Sequence, residues 1–85
     1  MTASPKKLSP TMLAVRTVIR ESGKRGMTDS EITAALLRAG YPEAPDSTYR
    51  KRRTDLMHLG FVEWSGARRR NVRGAMEKVW VIKAP

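Results

Sequence analysis

The stretch of sequence that decides the fold is residues 47–66, which read STYRKRRTDLMHLGFVEWSG. At about 100° per residue, three apolar side chains of its first part gather on one side of a helix: Tyr49, Leu56 and Leu59. Gly60 is a typical helix terminator, and we expect Phe61 to fold back against Leu56 there. The pattern predicts a helix over residues 47–59.

The other side of this predicted helix is polar and basic, and it holds Ser47, Arg50, Lys51, Thr54 and His58. Arg52 and Arg53 fall at the margin of the apolar side. We expect their stems to lie along the core while their charged heads reach solvent, phosphate or a carboxylate such as Asp55. The polar side is therefore the candidate binding face, without these two arginines.

Beyond this helix the sequence is rich in β-branched and aromatic residues, over residues 61–65 and again over 78–83. The two segments are predicted to pair as an antiparallel hairpin with Trp64 opposite Trp80. One face is apolar in this register, so we expect both tryptophans to pack in the core rather than to stack on bases. Residues 67–77 remain for the tip of the hairpin.

The predicted tip contains four arginines, namely Arg68, Arg69, Arg70 and Arg73. Burying an unpaired arginine costs several kcal/mol, so packing is not an expected role for these side chains. Our interpretation is that all four are either solvated or in contact with an anion.

A first amphipathic helix is predicted over residues 11–22, where apolar residues recur every three or four positions. It ends at Gly23, and Gly26 lies three residues further on. The chain therefore turns here, and we expect a short extended piece at Met27.

A second helix has the sharpest start signal in the sequence, because residues 28–31 fit a capping box. Thr28 is expected to bond forward to the third helical amide, while Glu31 bonds back. With Gly40 as the stop signal, this helix is predicted over residues 29–39.

The composition favours a polyanionic partner. The chain has 85 residues, with 17 Lys and Arg against 8 Asp and Glu, and a formal net charge of +9. This charge attracts nucleic acid and repels further copies of the chain. Residues 47–74 alone hold eight basic and two acidic side chains, so the charge is concentrated on the predicted third helix and hairpin.

Several classes of site are disfavoured by the residues present. The chain has no cysteine and one histidine, so disulfides and metal sites are not expected, and no cofactor is predicted. His58 follows Asp55 by three residues, a spacing that could orient a general base. A histidine near a helix C-terminus is favoured by the helix dipole alone, however. We therefore expect a protein that is not an enzyme.

Residues 1–10 are small, polar and interrupted by proline, and they include Lys6 and Lys7. We expect a flexible basic arm here, followed by one domain over residues 11–83. No apolar run is long enough to serve as a signal peptide or a membrane span. A cytoplasmic location without a membrane partner is predicted.

The predicted order is helix, short extended piece, helix, helix and hairpin, and its most specific part is residues 49–80. This part contains a basic helix that ends in LMHLGFV, then Ser65-Gly66, the arginine cluster, Gly74 and a closing Val79-Trp80. In the order of its predicted elements and in these residues, the chain resembles the winged helix-turn-helix superfamily, in particular small winged-helix proteins of phages and actinobacteria. The resemblance covers roughly residues 11–83.

The resemblance implies an α+β fold of three helices and a C-terminal antiparallel hairpin, called the wing, with a short strand near Met27. It also implies that the third helix enters the major groove of double-stranded DNA and that the second helix braces it. The wing would follow the backbone or enter the minor groove. Arg53 departs from the family pattern, because family members carry an aliphatic residue one turn before the core leucine of that helix.

The resemblance also assigns the residues that would bind DNA. On the third helix they are Ser47, Arg50, Lys51 and Thr54, and on the wing they are Arg68, Arg69, Arg70 and Arg73. Arg50 and Lys51 can donate to guanine O6 and N7, and Thr54 can contact a thymine methyl. Further candidates for phosphate contact are Thr28, with the first amides of the second helix, and Lys6 and Lys7 of the arm.

The predicted function is sequence-preferring binding of double-stranded DNA by a transcriptional regulator of the phage or prophage type, associated with the nucleoid in the host cytoplasm. Alternatives remain open: an accessory factor in the nucleoprotein assemblies of excision or replication, a protein-interaction adaptor, or an RNA-binding protein. An adaptor would use Leu13 and Leu37, which fall off the apolar stripes and are expected to be exposed. The predicted state is a monomer in solution that could pair on DNA.

Overall fold

The structure is a computed structural model that describes residues 8–44 and 46–83, with the backbone alone for residues 46 and 47. Within these residues the chain forms the predicted three α-helices and two-stranded antiparallel sheet, with a short 3-10 helix (Gly23–Arg25) after the first α-helix. The helices are α1 (Pro10–Ser22), α2 (Asp29–Arg38) and α3 (Asp46–His58), and the strands are β1 (Val62–Arg70) and β2 (Met76–Ile82). Each helix ends within one residue of its predicted bounds. Within the described ranges, no helix is both long and apolar enough to cross a membrane.

Side-chain caps start α1 and α2. The hydroxyl of Ser9 accepts a hydrogen bond from the backbone N–H of Met12 at 3.1 Å, and Pro10 opens the first turn of α1. The predicted capping box of α2 is confirmed. Thr28 Oγ1 accepts from the N–H of Glu31 at 3.2 Å, and the Glu31 carboxylate accepts from the N–H of Thr28 at 3.1 Å.

The predicted glycine stop signals are also confirmed. At the end of α3, the N–H of Gly60 donates to the C=O of Met57 at 3.1 Å, and the N–H of Phe61 donates to the C=O of Leu56 at 2.9 Å. Gly60 has a φ of +86°, a conformation that favours glycine. The same pair of bonds ends α2 at Gly40.

The core lies where the three helices meet the base of the hairpin. Its most buried apolar side chains, each at most 1% exposed, are Val15, Ile19, Ile32, Leu36, Leu56 and Val62. Tyr49 is also buried, and its hydroxyl donates to the C=O of Pro42 at 2.6 Å, which ties α3 to the connection before it. Leu59, predicted on the same apolar side, is 41% exposed because α3 ends at His58.

The hairpin has the predicted register, with Trp64 opposite Trp80. Its strands are longer than predicted, because β1 and β2 stay paired as far as Arg70 and Met76. Only residues 71–75 form the tip, so the prediction of a loop over residues 67–77 was wrong.

A β-bulge allows this longer pairing. The register shifts between Trp64 and Arg68, and Gly66 within this stretch has a φ of +92°. Beyond the bulge the pairing resumes with Arg68 opposite Lys78. The alternation of apolar and polar residues could not predict this part of the sheet, because charged side chains predominate there.

The extended piece at Met27 is confirmed as a one-residue partner of the hairpin. Met27 and Trp80 exchange two backbone hydrogen bonds, of 2.9 and 2.7 Å. Gly26 lies directly against β2, since a Cβ at this position would be 2.8 Å from the carbonyl oxygen of Trp80 and 2.6 Å from a methyl of Val79. The glycine therefore lets the segment before α2 pack closely on the hairpin.

We predict that Gly26→Ala lowers the free energy of unfolding by about 2–4 kcal/mol, because the new methyl meets the β2 backbone and the positive φ strains any side chain. Gly23→Ala is the matched control, since Gly23 also has a positive φ but nothing lies within 4 Å of its Cβ position. The control should cost only the backbone strain, about 1–3 kcal/mol, and should cost less than Gly26→Ala. Urea denaturation followed by tryptophan fluorescence measures both, and equal losses would contradict the close approach.

Candidate functional site

An open cleft of about 550 Å³ lies between α3, the first turn of α2 and the hairpin. The cations that line it are Arg50, Arg73 and Lys78. The buried Arg53 and Trp80 contribute to its inner side. The structure thus brings the third helix and the hairpin, the two segments that carry most of the predicted site residues, onto one concave surface.

Arg53 joins three elements on the inner side of this cleft. Its guanidinium lies over the Trp80 ring, 4.0 Å from the ring centroid, and donates to both carboxylate oxygens of Asp29, at 2.8 and 2.7 Å. Asp55, named as a possible partner of both arginines, binds Arg52 at 3.1 Å, whereas the carboxylate that Arg53 reaches is Asp29. Arg53 is only 8% exposed. Its burial is possible because Asp29 neutralises its charge and the indole covers its planar group.

Glu77 holds the outer part of the hairpin on α2. Its carboxylate accepts hydrogen bonds from the N–H of Ser30 at 3.1 Å, from the Ser30 hydroxyl and from the side-chain amide of Asn71. Partial burial acts to raise the pKa of Glu77, but the hydrogen-bond donors outweigh it and hold the pKa below its usual value. The sequence prediction missed this residue, because its partner Ser30 lies 47 positions away.

Arg69 has a structural role, because the anion that it contacts is a carboxylate of the protein itself. Its guanidinium binds the Glu31 carboxylate and donates to the backbone C=O of Arg25 at 2.7 Å. The side chain of Arg69 is 29% exposed. Glu31 lies 38 positions away in the sequence, and no local pattern indicates a pair at that distance.

Thr28, predicted as a phosphate contact, is 2% exposed. Its hydroxyl is used within the capping box, and the N–H groups of Thr28 and Ser30 are bound by the carboxylates of Glu31 and Glu77. The amide end of α2 is therefore occupied by the protein's own oxygen atoms. This corrects the expectation that Thr28 and these amides are available to a phosphate.

Trp64 is 40% exposed, so the expectation that it packs in the core was wrong. The register is continuous from Val62 to Trp64, so Trp64 keeps the face of Val62, but of the facing tryptophans only Trp80 is buried. The charged groups of Arg68 and Lys78 lie over the Trp64 ring, at 4.9 and 4.8 Å from its centroid. Its Nε1–H donates to the C=O of Ala67 at 2.8 Å, which fixes the orientation of the ring.

Five of the predicted site residues keep an exposed cationic side chain: Arg50, Lys51, Arg68, Arg70 and Arg73. In the part of the chain that the structure describes, none of these five forms an ion pair. Lys78 joins the set, although the sequence prediction treated it only as a strand residue. Lys78 lies two residues before Trp80, on the face of β2 that the sequence pattern assigned to the core, so alternation did not indicate an exposed cation there.

The remaining predicted residues contribute less. Thr54 is half-buried, and its hydroxyl donates back to the C=O of Arg50 at 3.0 Å. Ser47 lies in α3, but its side chain is outside the described residues. Lys6 and Lys7 lie outside the described residues altogether.

The charges that line the cleft are not balanced. Its two carboxylates, Asp29 and Glu77, already accept hydrogen bonds from protein groups. The cations Arg50, Arg73 and Lys78 have no acidic partner within the described ranges. The surface therefore attracts an anion. Among the residues with described placement, no group of three or more His, Cys, Asp or Glu could hold a metal ion.

No protein-family model matches the chain, and no match was found among curated proteins. The candidate site is therefore interpreted from the geometry and charge of this chain alone.

We predict that Asp29→Ala destabilises the fold by about 2–4 kcal/mol, because it leaves the nearly buried Arg53 guanidinium without its counter-charge. Combining it with Arg53→Met, which keeps an apolar side chain on Trp80, should cost less than the sum of the single changes. The exposed pair Arg52 and Asp55 is the control and should show coupling below about 1 kcal/mol. Urea denaturation of the two double-mutant cycles tests this, and equal coupling in both would contradict it.

We predict that Glu77→Gln lowers the stability by about 1 kcal/mol at neutral pH, because the amide keeps only one acceptor oxygen and its NH2 group cannot accept from the donors at the other position. The pKa of Glu77 in the folded state lies below its ordinary value of 4.5, so the carboxylate stabilises the fold fully above that pH. This contribution is lost as the pH falls through the lower, folded pKa. The difference between the wild type and Glu77→Gln should therefore shrink in urea denaturation below about pH 4.5.

Glu63→Gln controls for the loss of one carboxylate, because Glu63 is exposed on β1 and has no side-chain hydrogen bond among the described contacts. A stability difference for Glu77→Gln that stays constant from neutral to acidic pH would contradict the role of its ionised form.

Proposed function

We propose that the chain is a winged-helix protein that binds double-stranded DNA and acts as a sequence-preferring transcriptional regulator. In this proposal α3 enters the major groove, and the β1–β2 hairpin is the wing, on the phosphate backbone or in the minor groove. The observation that carries the proposal is the cleft. Exposed cations of α3 and of the hairpin line one concave surface, while its carboxylates are already bound by protein donors.

The exposed cations of α3 belong to its first half. Arg50 and Lys51 are the fifth and sixth of its 13 residues, and both are exposed. In helix-turn-helix proteins, the N-terminal part of the recognition helix contacts base edges. A bidentate contact from Arg50 to guanine O6 and N7 would discriminate base pairs by about 1–3 kcal/mol. We therefore assign the sequence preference to Arg50 and Lys51.

The contacts that hold α3 in place favour a role of this helix in DNA recognition. The bidentate pair between Arg53 and Asp29 fixes α3 on α2, and the stacking on Trp80 fixes it on the hairpin. A preorganised surface loses less conformational freedom when it binds. Arg53 is thus assigned to holding the two DNA-facing elements, and not to a direct contact.

The hairpin is assigned to phosphate contact. Its exposed cations are Arg68, Arg70, Arg73 and Lys78. Arg69 is left out, because the Glu31 carboxylate and the Arg25 carbonyl already hold its guanidinium. Cations on a backbone-following wing add affinity for every sequence alike. The protein would then act by occupying its site, without a catalytic step, either as a regulator or within a nucleoprotein assembly.

A protein-docking role is the second candidate, because the predicted exposure of Leu13 and Leu37 is confirmed, at 46% and 37%. Salt dependence separates the two candidates. Docking through apolar side chains depends little on salt, whereas DNA binding releases condensed counterions.

We predict that the affinity for duplex DNA falls steeply with salt. About five phosphate contacts correspond to a slope near −4.5 in log K against log salt. Fluorescence anisotropy with a labelled duplex pool, at salt concentrations from about 50 to 200 mM, measures the slope. A slope near zero would contradict the proposal, and stronger competition by random RNA than by random DNA would indicate an RNA partner instead.

We also predict that substitutions on α3 and on the hairpin affect DNA binding differently. Arg50→Ala should weaken binding to a duplex selected from random DNA about tenfold, with a smaller loss on unselected DNA. Arg73→Ala should weaken both by the same factor and reduce the salt slope by about 0.9. Arg38→Ala, at the other end of α2 from the cleft, removes the same charge and should change little. If Arg50→Ala and Arg73→Ala act identically on selected and random DNA, the assignment of α3 to sequence recognition is wrong.

A further inference from the structure

The tip of the hairpin is held in one conformation by its own hydrogen bonds. The N–H of Asn71 donates to the C=O of Ala75 at 2.8 Å, and its C=O accepts from the N–H of Gly74 at 3.0 Å. The Asn71 side-chain oxygen accepts from the N–H groups of Arg73 and Ala75, at 2.9 and 3.0 Å. These bonds close a tight turn over residues 71–74.

Two further contacts tie this turn to the rest of the protein. The side-chain amide of Asn71 donates to Glu77, whose carboxylate also binds Ser30 of α2. The guanidinium of Arg70 donates to the C=O of Gly74 at 2.8 Å. The tip is therefore fixed both internally and against the helices.

Val72 belongs to this fixed turn, and it is one of the residues that line the cleft. Its side chain is fully exposed, at 103% of the reference value. Turn geometry does not call for valine at this position, where proline and small or polar residues are favoured. A β-branched side chain is also stiff about its first torsion. The apex of the hairpin thus presents a rigid apolar group to its surroundings.

The neighbours of Val72 indicate what covers it. The two adjacent basic residues, Arg70 and Arg73, are exposed on either side of it in the chain. A partner that covers all three must place phosphates or other anions next to an apolar surface. The minor groove of a DNA duplex does so, because sugars and the edges of stacked bases lie there between two phosphate backbones.

We propose that Val72 acts as a wedge, an inference that rests on the proposed function. The hairpin inserts this side chain between two base pairs from the minor groove, and the protein thereby kinks the DNA that it binds. Apolar side chains that part a base step in this way bend the duplex by about 20–90°. Valine is short, so an angle at the lower end of this range is expected. Pyrimidine–purine steps are the favoured sites because they unstack most easily.

Ligase-catalysed circularisation measures this bending without knowledge of the target sequence. Fragments of about 100 bp are shorter than the persistence length of about 150 bp, so they rarely close unaided. Saturating wild-type protein should raise the yield of circles about tenfold. Val72→Thr replaces one methyl by a hydroxyl and should lose most of this gain at equal occupancy. Val72→Leu, a larger apolar wedge, should retain or increase the gain.

Matched controls show whether a change in circle yield comes from lost bending or from lower stability or weaker binding. Neither change at Val72 should shift Tm, because the side chain makes no buried contact. Arg73→Ala should weaken binding but leave the circle yield unchanged at equal occupancy. Salt-dependent binding without a gain in circles, or an equal gain with Val72→Thr, would overturn the wedge and leave the proposed DNA binding in place. Absence of duplex binding would overturn both.

Discussion

The arrangement of α2, α3 and the hairpin depends on one charged group that is nearly buried. The Arg53 guanidinium lies between the Trp80 ring and the Asp29 carboxylate. A guanidinium removed from water is costly to the fold unless other groups replace its hydration, and here two carboxylate oxygens and an aromatic face do so. Since the three residues belong to α3, β2 and α2, this contact fixes these elements to one another on the inner side of the cleft.

Signals between near neighbours in the chain account for the parts of the fold that were predicted. The capping box at Thr28 and the glycine stops involve atoms within six positions of each other, so the sequence indicates them directly. The length of the hairpin was not predictable in this way, because it depends on the bulge at Gly66 and on the pairing of Arg69 with Glu31. Trp64 was assigned to the core by its alternation with Val62, but alternation gives the face of a strand and not how far the core extends along it.

In the candidate site, too, features set by near neighbours were predicted and features set by distant residues were not. Helical periodicity predicts which cations of α3 point away from the core, and Arg50 and Lys51 are exposed accordingly. Periodicity does not predict which charges are neutralised, because the partners come from distant parts of the chain. Arg69 and Glu77 are the examples: the first is held by a carboxylate and the second holds a helix end. The formal charge of a basic chain therefore overstates the number of cations that a partner meets.

The first turn of α2 has a consequence for the dynamics of the whole surface. Three consecutive residues there each hold a different segment: Asp29 binds Arg53 of α3, Ser30 binds Glu77 of β2, and Glu31 binds Arg69 of β1. A local opening of this one helical turn would release all three segments together, so the cleft forms and dissolves as a single cooperative unit. A partner bound in the cleft would accordingly slow amide hydrogen exchange at residues 29–31, even if it touched none of them.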